Sequence, residues 1–124
     1  MNNRYTPQRA EQLVPILRSI SSEIVERSRA IEQLEGILES AAAKRNPPIR
    51  QMREVGATLA HHRRELRFAK QELARLGCAP DEDHPLRIRI PGEDGTLETG
   101  YTWIPSEQHP RRNEAVNAVD AAAL

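Results

Sequence analysis

Two apolar series, each stepping alternately by three and four residues, flank one strong helix breaker, and this arrangement limits the possible folds more than any other feature. The first series runs Ala10, Leu13, Leu17, Ile20, Ile24, Ile31, Leu34, Leu38 and Ala41, with Arg27 at its one polar step. The second runs Met52, Val55, Leu59, His62, Leu66, Ala69, Leu73 and Leu76. Such spacing holds one stripe of side chains on one side of an α-helix turn after turn. Between the two stands KRNPP at 44–48. Its first proline drives the preceding residue out of the helical region, and Pro48 suits the first turn of a new helix.

Two heptad helices joined by so short a loop run antiparallel, so the residue numbers of facing positions must share one constant sum. They do so for Ala41 with Met52, Leu38 with Val55, Leu34 with Leu59, Ile31 with His62, Arg27 with Leu66, Ile24 with Ala69, Ile20 with Leu73 and Leu17 with Leu76. That constant centres the fold-back between Asn46 and Pro47, where proline chemistry independently places it. The first helix spans about 7–43 and starts at Thr6-Pro7, a hydroxyl cap followed by a proline whose missing N–H would have had no partner. Pro15 removes the bond back to Glu11 and predicts a kink or a loose first turn. The second helix spans about 49–76. Gly77 suits a left-handed cap, Cys78 then lies against Leu73, and Pro80 forbids continuation.

After residue 80 the pattern changes period. LRIRI (86–90) alternates, PGEDG (91–95) is turn chemistry, and TLETGYTW (96–103) sets Leu97, Thr99, Tyr101 and Trp103 on one face. This reads as a β-hairpin with a five-residue loop, too small to stand alone and therefore packed on the helices. The residues from 105 to 124 read as a flexible, poorly ordered tail, with NEAVNAVDAAAL too short for a stable helix without support. The expected fold is mainly α: an antiparallel, coiled-coil-like helical hairpin over 1–79, a linker and β-hairpin over 80–104, and a tail over 105–124.

Composition narrows the class. Hydrophobic residues at 38% and charged residues at 29% are ordinary for a water-exposed helical chain. No apolar run approaches a membrane span, and MNNRYTPQR has no apolar region after its charges, so neither a membrane segment nor a secretory signal is expected. One cysteine, Cys78, leaves no internal disulfide to form and fits a cytoplasmic location. The zero net charge hides an asymmetry: residues 1–78 hold 14 Lys and Arg against 9 Asp and Glu, and residues 79–124 hold 4 against 9. The halves therefore carry plus five and minus five, which favours docking of one on the other.

The stretches RYTPQRAEQLVPILRSI, LGC, LRIRIPGEDG and YTW resemble a bacterial and archaeal family known as domain of unknown function 2203, in outline from about residue 4 to 107. Members of that family usually continue with a Trp-His pair and a glycine-rich, arginine-containing tail, and often carry cysteine where Thr102 stands here. None of the matching residues is a catalytic signature, so the resemblance implies the architecture and carries over no activity.

Within TLAHHRREL (58–66), consecutive helical residues point about 100° apart, so His61 and His62 cannot act as one pair. His62 falls in the seam beside Ile31, and Arg27 falls in the next layer. The plain reading makes both satisfied seam residues that fix register or association state, with Glu23 or Glu65 as acceptors. The sharper one is a pH-sensitive joint, because an imidazolium beside a guanidinium sets two positive charges together. His61 with Glu65 has helical metal spacing but lacks further ligands. The DEDH segment at 81–84 lacks the glycine and ligand spacing of a calcium loop and reads as linker. Cys78, at a helix C-terminus, is disfavoured as a thiolate. No phosphate loop, nucleophile elbow or zinc spacing occurs, so no catalytic residue, metal or cofactor is assigned.

Opposite the seam of the second helix lie Arg50, Arg53, Arg64, Arg67 and Arg75, with Phe68 among them. Three readings fit: the acidic C-terminal half covers this face with Tyr101 and Trp103, the face meets an external polyanion, or it is plain solvated charge. The first helix carries Val14, Ile16, Ala30 and Ile37 beside its seam, a wider apolar face than one partner helix covers, which either a second copy or, within the chain, the β-hairpin would meet. The expected function is a non-catalytic interaction or assembly protein that self-associates, with an antiparallel dimeric four-helix bundle as the simplest form. The alternatives are a nucleic-acid-associated module using the arginine face and a metal-dependent enzyme assembled across a dimer.

Overall fold

The computed structural model describes residues 3–84 and 86–113, and in these the chain is mainly helical, with a small antiparallel sheet. The helices are α1 (Pro7–Gln12), α2 (Val14–Ala42) and α3 (Ile49–Arg75), and the strands β1 (Ala79–Pro80), β2 (Ile88–Ile90), β3 (Tyr101–Trp103) and β4 (Arg111–Arg112). The chain divides into two compact units. One comprises the residues up to Ser21 together with those from Leu73 onward, and the other runs from Ser22 to Glu72. None of the described helices is long and apolar enough to cross a membrane.

The Ser22–Glu72 unit is an antiparallel helical hairpin. Its seam positions are the ones withdrawn from water: Ala41, Leu59 and Ala69 are buried, and Ile24, Arg27, Ile31, Leu34, Leu38, Met52, Val55, His62 and Leu66 are half-buried. Most other positions in the unit are exposed, so the stripe read from sequence is the stripe that folds inward. Chain reversal shows in which residues meet. The end of α2 lines a groove with the start of α3, and Arg27 in α2 bonds to His62 further along α3. Glu35 and Arg63 add an exposed bridge of 3.4 Å between the same helices.

The other unit gathers Tyr5, Ala10, Leu13, Val14, Leu17, Ile20, Leu73, Cys78, Ile88, Ile90, Tyr101 and Trp103 as its buried apolar side chains. Thr6 caps α1 by accepting the Arg9 N–H at 3.3 Å. The expected single first helix is interrupted at Leu13. Pro15 has no N–H for the Glu11 carbonyl, Leu13 turns tightly onto Ala10 at 3.1 Å, and regular bonding resumes from Leu17 to Leu13 at 2.9 Å. Helix α3 ends in a Schellman motif: Gly77 has φ +77°, its N–H donates to the Ala74 carbonyl at 2.9 Å, and Cys78 N–H donates to Leu73 at 3.2 Å.

The expected two-stranded hairpin is instead a four-stranded antiparallel sheet in the order β1-β2-β3-β4. Ile88 pairs with Trp103 and Ile90 with Tyr101, and these four side chains are all buried. The connection is longer than the five residues expected, because 96–100 does not extend β3. Asp94 accepts from the Thr96 N–H at 2.9 Å and from the hydroxyls of Thr96 and Thr99 at 3.0 and 2.5 Å, folding the segment into consecutive turns. Leu97 and Thr99 therefore lie outside the strand, and Leu86 likewise precedes β2 and is exposed. Gly100 is required where that loop meets β2, since a Cβ there would stand 1.8 Å from the Ile90 carbonyl oxygen.

The tail expected to be partly disordered from 105 carries β4 near its start. Arg111 and Arg112 pair with Thr102 and Tyr101, and Asn113 donates its backbone N–H to Gly100 at 2.9 Å. The possible terminal helix in NEAVNAVDAAAL lies, beyond Asn113, outside the described residues.

Candidate functional site

The polar break expected in the seam is a single hydrogen-bonded cluster. Arg27 donates Nε to Glu23 Oε1 at 2.8 Å and faces His62 Nδ1 with Nη1 at 2.9 Å. A guanidinium can only donate, so Nδ1 must be the bare nitrogen and the ring proton sits on Nε2. Protonating Nδ1 would set one N–H against another and remove the only acceptor His62 offers Arg27. The Glu23 hydrogen bond raises the Arg27 pKa above its already high ordinary value, against the opposing effect of desolvation. His61 projects outward and meets His62 edge-on, with ring centroids 5.7 Å apart. This arrangement ties two helices together in one register: sliding α3 by a heptad would put an apolar residue against Arg27. It places no nucleophile beside a base.

Arg50, Arg53, Arg64, Arg67, Phe68 and Arg75 are all exposed, and Phe68 retains 48% of its accessible surface. Tyr101 and Trp103, weighed from sequence as a cover for Phe68, are each engaged within their own unit. Trp103 is fully buried under the Arg18 guanidinium, 5.4 Å from its ring, and donates Nε1 to the Glu107 carbonyl at 2.9 Å. Tyr101 donates its hydroxyl to the Tyr5 carbonyl at 3.0 Å. Arg67 stacks over Phe68 at 6.0 Å, and Arg50 lies 3.9 Å from Glu54. Arg53, Arg64 and Arg75 have no ion pair among the described residues.

A third feature lies at the closed end of the hairpin. A groove of about 550 Å³ is lined chiefly by Gly36, Ile37, Ala41, Pro48, Met52 and Val55, with Gln33, Ser40, Lys44 and Gln51 also contributing to its walls. Ile37 is 51% exposed beside it. Sequence periodicity marks Ile37 as surplus to the seam, but a groove formed by the turn itself has no one-dimensional signature.

Sequence reasoning missed Tyr5. It is buried, donates its hydroxyl to the Leu76 carbonyl at 2.8 Å, and receives Tyr101 on its own carbonyl. Its N–H donates to Gly92 at 3.2 Å. Burial raises its pKa above the ordinary tyrosine value, with Cys78 adding to the effect and Arg9 opposing it. A tyrosine one residue ahead of a cap has no periodic neighbours to mark it as core. Burial also pushes the Cys78 thiol up to about 12, which keeps it unreactive.

In the DEDH segment, Asp81 accepts the Asp83 N–H at 3.0 Å and pairs with Arg87 at 3.5 Å. These contacts, the backbone bond first, hold its pKa below the usual carboxylate value. No group of three or more potential metal-ligating side chains occurs among the described residues. His61 and Glu65 stand without a third ligand there. Comparisons with family models, with curated proteins and with solved structures returned no match to this chain.

Proposed function

We propose that this protein is a non-catalytic interaction and assembly module built on the helical hairpin, and that it self-associates as a homodimer in the cytoplasm. The observation that supports this reading most is the largely apolar groove at the closed end, open to water with Ile37 half-exposed at its edge. A two-helix seam covers one side of each helix only, and an apolar groove beside it lowers its free energy by meeting a third surface. Kinship with domain of unknown function 2203 belongs to the same proposal and rests on the sequence stretches quoted above. Sedimentation equilibrium across a hundred-fold range of concentration tests the assembly reading. A dimer that dissociates on dilution is expected, and a monomer throughout would refute it.

The exposed arginines of α3 support a second reading, binding of a nucleic-acid backbone by the arginine row with Phe68 as a stacking surface. Fluorescence anisotropy with single-stranded RNA would then show affinity that falls steeply with added salt. Affinity that is absent at low salt, or insensitive to it, would remove this reading.

A further inference from the structure

The self-association proposed above leaves open which surface mates with which, and the charges and sizes along one flank of α2 select an answer. Beside the seam, at intervals of seven residues, stand Glu23, Ala30, Ile37 and Lys44. The first three lie on one side of α2, and Lys44 follows just past its end, bonded back to the Ala41 carbonyl at 3.2 Å. The stripe thus reads acid, small, large, base. Ala30 and Glu23 are half-buried, whereas Ile37 and Lys44 are exposed. A methyl group placed on Gly36 would meet nothing within 4 Å, so the helix backbone next to Ile37 is open to close approach.

Resting on the assembly reading, we infer that two copies mate through this stripe, α2 antiparallel to α2 of the second copy. Ala30 then faces Ile37 and Glu23 faces Lys44 across a two-fold axis between Gln33 and Leu34. A two-fold interface must be self-complementary, and this register makes it so twice over. Ile37 of each chain fits the space left by the Ala30 methyl of the other. Lys44 meets Glu23, whose Oε2 is free of the bond that Oε1 accepts from Arg27.

The competing registers fail on charge. A parallel pairing sets Lys44 on Lys44 and Glu23 on Glu23, which repels at both ends. An antiparallel pairing centred on Ile37 puts Lys44 opposite Ala30 and leaves Glu23 without an opposite charge. Gln33 at the axis can satisfy its own mate, since an amide both donates and accepts.

The test uses two full-length single-substitution variants, Ala30→Cys and Ile37→Cys, mixed and oxidised. Cys78 is present in both, buried, and the unsubstituted protein controls for it. The inference expects the mixed disulfide to dominate over either homodimer. Like residues are offset by one heptad, about 10 Å along the axis. Lys44→Glu should weaken the dimer on the order of ten-fold at low salt, since both symmetry-related pairs become repulsive. Ile37→Cys homodimers dominating the mixture would overturn the register. A dimer by sedimentation that forms no cross-link in any mixture would overturn this interface while leaving self-association standing. A protein monomeric at every concentration would overturn both.

Discussion

Replacing Tyr5 by phenylalanine removes one oxygen from the structure and tests how the N-terminal arm is held. The phenol donates at 2.8 Å to the Leu76 carbonyl, one of the acceptors left over at the end of α3. The ring stays in place in the variant, so the loss is confined to that hydrogen bond and to a part-buried carbonyl left without its donor. A bond of this kind contributes about 0.5 to 1.5 kcal/mol, and an unsatisfied partner costs about 1 to 3 kcal/mol. Leu76 is only half-buried and water can reach it in part, so the expected loss is about 1 to 2 kcal/mol. The chain has one tryptophan, Trp103, buried in the same unit as Tyr5, and its fluorescence follows unfolding there. In urea, with a slope of about 1.5 kcal/mol per molar, the midpoint should fall by roughly 1 M without a change in slope. An unchanged or higher midpoint would refute the assignment of Tyr5 as the clamp between arm and helix.

Gly100→Ala places a methyl 1.8 Å from the Ile90 carbonyl oxygen, backbone against backbone, so β2 and β3 must part. A loss of at least about 3 kcal/mol in the same urea assay is expected, and a near-neutral effect would contradict the close approach. Cys78 should react with a thiol reagent at pH 8 far more slowly in the folded chain than in urea. Its pKa is pushed up to about 12 from an ordinary value near 9. Because the folded state holds this proton more tightly, the associated stability is present below pH 9 and declines as pH rises toward 12. A Cys78→Ala variant should show a flatter alkaline limb, and an identical limb would contradict burial as the cause. Nitrogen NMR of labelled histidine should find the neutral ring of His62 protonated on Nε2. A proton on Nδ1 would exclude the bond from Arg27.

The helical hairpin was legible because heptad spacing and proline chemistry are local signals that agreed on one turn. Each seam position from Ile24 to Ala69 read from sequence is buried or half-buried in the structure. Arg27 and His62 were also legible as neighbours, since both interrupt the same stripe and antiparallel register brings them together. The sheet was less so. β1 and β4 are two residues each, too short to carry an alternating pattern, and β4 lies within a polar stretch. The turns at 96–100 mimic a strand in sequence, because Leu97, Thr99 and Tyr101 alternate while Asp94 captures both threonines. Tyr5 and the fate of Trp103 depend on contacts between residues far apart in sequence, Tyr5 with Leu76 and Tyr101 and Trp103 with Arg18, which no local pattern encodes. Overall charge balance also gave no hint that Glu107 pairs with Arg111 and Glu93 with Arg112 close by.

The reversal of the chain at Asn46 and Pro47 underlies the groove, the Arg27 to His62 bond and the mating stripe alike. Spin labels at positions 35 and 63, diluted with unlabelled protein so that only distances within one chain are read, test it directly. In the structure, Glu35 and Arg63 stand 3.4 Å apart across the two helices, so a label separation below about 20 Å is expected for neighbouring helices. The two positions are 28 residues apart in sequence. A single continuous helix would hold them about 40 Å apart, and that distance would contradict the account.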